Sequence, residues 1–216
     1  VSAAHTISHH PGEELLVAYG AGASDEALSL LIATHLALCP ECRRLVGEIE
    51  SLGGTLLSGL APAALADGAL QSVLSRLDTP GAAAPAPKAG TDTRVPEPLR
   101  SYVGDLSHGW IPVAPGVAHR PFFRRGSTRA RLIRGAPGYV VPPHTHSGTE
   151  YTLVISGGFS DKTGRYGPGD LQIAGSELVH EPVADPGEDC INLAVTDAPL
   201  RFVGAVPKLI GKLFGF

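Results

Sequence analysis

His35-Leu-Ala-Leu-Cys39-Pro-Glu-Cys42 places three soft metal ligands within eight residues. On a helix, His35 and Cys39 lie one turn apart on the same face, and a turn at Pro40 can swing the Cys42 sulfur back toward them. Imidazole and thiolate donors suit zinc in a closed tetrahedron, which requires a fourth ligand. His10 is the first candidate, with His9 and His5 as substitutes. A Cys-x-x-Cys alone also reads as a redox pair or as two buried thiols, but a histidine four residues upstream favours metal.

Helical signals surround this stretch. Pro11 followed by Glu13 and Glu14 opens a first helix reaching about Tyr19. Ser24, Asp25 and Glu26 open a second, which carries Leu28, Leu31, Ile32 and Leu36 and ends with the ligands. A third is expected from about Glu41 to Ser51, stopped by Gly53-Gly54, and a fourth from Pro62 to Leu77. In the fourth, Leu65, Ala69, Leu70, Val73, Leu74 and Leu77 form a stripe at near-helical spacing, read as completing the bundle core rather than as a face offered to a partner. Helices this small bury little by themselves, so zinc, which supplies an apparent ~10–16 kcal/mol in small peptide domains, is expected to be part of the fold. His10 followed by His35-x-x-x-Cys39-x-x-Cys42 resembles the zinc-binding anti-sigma domain, a helical module that sequesters an alternative sigma factor.

The 216-residue chain, 43% hydrophobic, is long enough for one large or two small domains. Its 27 glycines and 19 prolines suit a turn-rich β part. Three cysteines, two of them in one motif, make no disulfide framework, which points to a reducing compartment. The start does not read as a signal peptide, and no apolar run reaches the roughly 20 residues of a membrane span, so the expected location is cytoplasmic without membrane attachment. Residues 1–80 hold nine acidic and three basic side chains, whereas the remainder holds 12 acidic and 14 basic. An acidic helical half argues against direct nucleic-acid binding and fits a partner with basic surfaces.

Residues 79–98 carry prolines at 80, 85, 87, 96 and 98 and read as a linker between domains 1–78 and 99–216. As a coil those 20 residues would span roughly 25 Å, and about 60 Å if extended, which would let the halves move independently or share one partner. From Leu99 onward, short apolar runs such as 129–133, 150–155 and 190–195 alternate with Gly and Pro, the pattern of an antiparallel sandwich or barrel. The fold class expected is therefore α+β with two domains, a small all-α zinc-stabilised bundle followed by an antiparallel β-barrel. Leu200 to Phe216 is expected to be a packing segment.

Gly138, five residues, His144-x-His146, three residues, Glu150, six residues and Gly157 keep every spacing of the first cupin motif, so this half resembles a cupin jelly roll. Alternate strand residues share a face, so His144 and His146 can both point into a barrel with Glu150. His180 is the candidate fourth ligand, following Tyr166-Gly-Pro-Gly-Asp170, which resembles the start of the second cupin motif. Three imidazoles and a carboxylate fit zinc and also iron, manganese or nickel. His108 and His119 fit no ligand spacing, Trp110 reads as a core anchor, and Cys190 is either a small buried hydrophobe or an oxidation target.

An anti-sigma motif followed by a cupin resembles the ChrR-type zinc anti-sigma factors of bacteria over nearly the whole chain. The resemblance implies one zinc at His10, His35, Cys39 and Cys42 and a second at His144, His146, Glu150 and His180. It further implies that the first domain clamps an extracytoplasmic-function sigma factor and hides its RNA polymerase contacts, while the cupin supports release under singlet-oxygen or related stress. Asn192 stands where such proteins can carry a second cysteine, which argues against a local dithiol switch. The competing classes are a cupin metalloenzyme, dioxygenase or isomerase, and a small-molecule sensor.

Overall fold

The computed structural model describes residues 5–77, 92–198 and 200–202. The first helix, α1 (Glu13–Gly20), starts at Gly12 with Glu13 and Glu14 in its first turn. Asp25 caps α2 (Glu26–Leu38) by accepting from the Leu28 N–H at 3.0 Å. The third helix, α3 (Pro40–Ser58), begins at Cys39, whose sulfur accepts from the Cys42 N–H, with Pro40 in the first turn, where no donor is lost. Gly20 lets α1 approach α3, because a Cβ there would sit 2.9 Å from the Ile49 side chain.

Three expectations for this half are corrected. Gly53-Gly54 does not stop α3, which continues to Ser58. Glycine costs about 1 kcal/mol in a helix but forbids nothing, and Leu52 and Leu56 continue the stripe begun by Leu45 and Ile49. The last helix of the first half is short, α4 (Ala69–Leu77), with residues 61–66 irregular before it. Its stripe is not core, since no residue of α4 is buried.

The expected linker is outside the described residues over 79–91, and where it is described it is packed. Val95 is completely buried, and α5 (Glu97–Val103), a helix not expected from the sequence, buries Leu99 and Val103 against α2. Tyr102 donates to Glu26 across this contact at 3.0 Å. Of the expected C-terminal packing segment, residues 203–216 lie outside the described residues.

Eleven strands follow among the described residues: β1 (Ile111–Ala114), β2 (Val117–Arg125), β3 (Thr128–Gly135), β4 (His144–His146), β5 (Glu150–Ser156), β6 (Phe159–Asp161), β7 (Gly164–Tyr166), β8 (Leu171–Ala174), β9 (Val183–Ala184), β10 (Cys190–Thr196) and β11 (Leu200–Phe202). They pair antiparallel into a six-stranded sheet ordered β1-β2-β3-β10-β5-β8, a three-stranded sheet β7-β6-β9 and a pair β11-β4. The three apolar runs seen in the sequence are the adjacent strands β3, β10 and β5. Gly157, at φ +70° after β5, is required by the turn, because a Cβ there would lie 2.6 Å from the Asp189 carbonyl oxygen.

The large sheet is covered on both faces, which explains why its strands read as nearly continuous apolar runs. Leu132, Leu153, Ile191, Leu193 and Val195 join Leu31, Ile32 and Leu99 in one hydrophobic core, with α2 lying across β3 and β10. The opposite face, with Ile133, Glu150, Thr152, Cys190 and Asn192, lines a cavity closed by the smaller sheet through Phe159 and Ala184. The helical half therefore rests on the outside of the barrel in a shared core.

Candidate metal centres

The first centre forms where α2 hands over to α3. His35, on the last turn of α2, is fully buried. Its Nδ1 donates to the Gly169 carbonyl at 2.8 Å, which leaves the Nε2 lone pair facing the two sulfurs, without a hydrogen-bond partner among the described residues. His10 supplies the fourth corner, with Nδ1 3.5 Å from Cys39 Sγ and 3.3 Å from Cys42 Sγ. The ligand atoms of His10, His35, Cys39 and Cys42 all lie within 4.8 Å of one another. His5 and His9, the substitutes, are directed elsewhere. His5 Nε2 lies 2.6 Å from Asp170, and the His9 ring packs on Tyr166 with centroids 4.3 Å apart.

Burial and the neighbouring Cys39 push the Cys42 thiol up to about 12, and burial pushes His35 down. Without a cation, then, the sulfur stays protonated and the imidazole neutral. An orphaned buried Nε2 facing two thiols fits a thiophilic divalent ion, which would deprotonate the sulfurs and satisfy the nitrogen.

The second centre lies inside the barrel. His144 and His146 leave β4 on the same side, Glu150 opens β5, and His180 reaches in from a bridge pairing with His144, all four buried. Their ligand atoms also lie within 4.8 Å of one another. His144 Nδ1 donates to the Pro142 carbonyl at 2.9 Å and His180 Nδ1 to Asp161 at 2.8 Å, so each ring keeps Nε2 for the centre. His146 Nε2 lies 3.2 Å from His180 Nε2 and 3.6 Å from Glu150. The two Nε2 atoms and the Glu150 oxygen beside them are close enough to share a cation. Burial holds His144 and His146 down to about 4 and pushes Glu150 up.

Asp161 was not picked out by sequence reasoning. Buried carboxyls are normally pushed up, but Thr163, the Gln172 amide and His180 donate to it and hold its pKa below the usual carboxylate value. The signal was weak: an Asp at the end of a three-residue strand, 19 residues before the histidine it orients. Asp170, which ends the Tyr166-Gly-Pro-Gly-Asp170 turn, makes contacts that reach across the chain to Ser8 and His9.

A cavity of about 100 Å³ opens on the second centre, walled by Val117, Ile133, Tyr139, Val141, Phe159 and Pro182 among others. Cys190 lines it, buried, with its sulfur 3.6 Å from Asn192 Oδ1, and burial pushes the thiol up to about 11. His108 is exposed beside Asp105 and His119 is buried, and neither belongs to a ligand cluster among the described residues. Trp110 is half-buried, packs against the shared core, donates to the Leu106 carbonyl at 2.8 Å and carries Arg134 over its ring at 4.8 Å. Among the described residues no helix is long and apolar enough to cross a membrane.

The ChrR Cupin-like domain family matches residues 100–199. The Anti-sigma-E factor ChrR of Cereibacter sphaeroides is 46% identical over 211 residues, covering 97% of this chain and 99% of that protein. The crystal structure of Rhodobacter sphaeroides SigE in complex with the anti-sigma ChrR matches with a TM-score of 0.78 at 44% identity, covering 88% of this chain and 99% of that one. An identity of 46% over 97% of this chain and 99% of that protein means that this chain belongs to the ChrR family of anti-sigma factors.

Proposed function

We propose that the protein sequesters an extracytoplasmic-function sigma factor and blocks its binding to RNA polymerase, using the exposed apolar face of the second half of α3 and of α4. One observation carries this reading. Leu52, Leu56, Leu57, Leu60, Leu65, Leu70, Val73, Leu74 and Leu77 are nine large apolar side chains within 26 residues, exposed between 49% and 81%. A soluble surface does not leave so continuous an apolar stretch uncovered without a partner. Leu70, Val73, Leu74 and Leu77 fall at i, i+3, i+4 and i+7, the spacing of a helix that lays one face into a groove. The acidic balance of residues 1–80 favours a basic partner. On this reading residues 1–78 are the anti-sigma domain, 79–98 the connection and 99–216 the cupin.

We infer zinc in both centres. The sulfur and imidazole set of the first matches structural zinc, and the three imidazoles and carboxylate of the second accept it. Zinc would fix the α2–α3 corner and so the angle at which α3 projects. The cupin then acts as the response module for singlet oxygen or related oxidants rather than as a catalyst. Besides the ligand candidates, the titratable groups on its cavity wall are Tyr139 and Cys190, and burial raises both, so neither is a proton shuttle at neutral pH. The cavity leads to the candidate ligand histidines His144 and His180, where singlet oxygen would act, whereas Cys190, buried and held protonated, is a poor target.

The test is Leu74→Glu in the full chain, assayed by inhibition of sigma-dependent transcription in vitro. Affinity for the sigma factor is expected to fall by about 2–4 kcal/mol, as for loss of a central apolar anchor, with metal content unchanged. Undiminished inhibition would remove α4 from the binding face.

A further inference from the structure

Two of the four ligands in the helical domain are oriented by atoms of the cupin. The turn from Gly167 to Asp170, between β7 and β8, presents the Gly169 carbonyl to His35 Nδ1 at 2.8 Å. Asp170, with no solvent exposure, accepts from the backbone N–H groups of Ser8 at 2.8 Å, His9 at 2.9 Å and Gly167 at 2.9 Å, and from His5 Nε2 at 2.6 Å. The Leu171 N–H then donates to the His9 carbonyl at 3.0 Å. Residues 5–9 thus lie against the start of β8 by backbone and side-chain bonds together, and the next residue is His10.

A histidine bound through Nε2 takes its ring direction from what its Nδ1–H meets, and here that is the Gly169 carbonyl. His10 sits on a segment whose conformation is set by one buried carboxylate. We infer that the Gly167–Asp170 turn is an intramolecular clasp by which the cupin positions the helical domain's metal site, with Asp170 the positioning residue and residues 5–9 its occupant. This rests on the reading of His10, His35, Cys39 and Cys42 as that site's ligands. Loss of such outer-shell partners lowers metal retention by roughly 10–100-fold in known sites. The cupin therefore influences how firmly the helical domain holds its ion, although it donates no ligand to it.

The experiment uses the full chain loaded with cobalt(II) in place of zinc. Thiolate-to-cobalt absorption reports the site containing Cys39 and Cys42, and its decay after addition of excess EDTA gives the release rate. Asp170→Asn is expected to speed that decay roughly 10–100-fold, while the second cobalt ion, without thiolate absorption, stays bound. His5→Ala, which removes a partly exposed partner of the carboxylate and leaves the barrel untouched, is expected to speed it in the same direction by less. Unchanged release in His5→Ala and in a folded Asp170→Asn overturns the clasp. If Asp170→Asn does not fold, His5→Ala alone decides. Loss of the second cobalt together with the first in Asp170→Asn also overturns it, because Asp170 would then serve the barrel fold. Absence of thiolate absorption in the unaltered protein would overturn the metal site itself, and the clasp with it.

Discussion

His35 and His144 do the same thing in different settings: each ring gives its Nδ1 hydrogen to a carbonyl, Gly169 or Pro142, and turns Nε2 toward a cluster of ligands. The consequences of losing a ligand differ, because the first cluster joins two helices and the second lines a cavity. Cys39 is both ligand candidate and cap of α3, so Cys39→Ala is expected to lose metal, the α2–α3 corner and basal repression together. His144→Ala is expected to keep basal repression and lose induction by singlet oxygen in the same reporter cells. Normal induction in His144→Ala would show that the barrel centre has no part in the response. Much of this scale was readable in the sequence, since ligand spacing is local: His35, Cys39 and Cys42 fall within eight residues and His144, His146 and Glu150 within seven. The choice among His5, His9 and His10 was not local. It depends on where Asp170 lies, and that is set by pairing across 161 residues.

Elements divide into those whose apolar residues are covered and those whose residues are not. Leu193 of β10 is fully buried between the sheet and α2, whereas Leu74 of α4 is half exposed. Leu193→Ala is expected to destabilise the protein by about 2–5 kcal/mol, and Leu74→Ala to stay within about 0.5 kcal/mol, measured by denaturant unfolding. Equal effects would mean that α4 packs in solution as Leu193 does. Periodicity found both stripes but could not say which one the rest of the chain covers, so Leu65 to Leu77 read as core. The same limit hid α5, because Pro96 and Pro98, which open that helix, carry the composition of a linker. Gly53-Gly54 misled for a related reason: a glycine pair weakens a helix but does not end one whose apolar stripe continues on either side.

At the scale of the whole molecule, the expectation of two independently moving halves gives way to a shared core. Leu31 and Ile32 of α2 pack with Leu132 and Leu193 of the sheet, and Asp170 binds the segment leading to His10. Both domains were legible separately, each from its own ligand spacing. Their contact was not, because it is made by apolar residues and backbone groups without a motif. What the packed body leaves outside is the apolar run from Leu52 to Leu77, the proposed sigma-binding face. The direct measurement is hydrogen exchange of the metal-loaded full chain, free and bound to an extracytoplasmic-function sigma factor. Strong new protection on binding is expected to concentrate at the amides of residues 52–60 and 69–77. A tight complex in which those amides exchange as fast as in the free protein would contradict it.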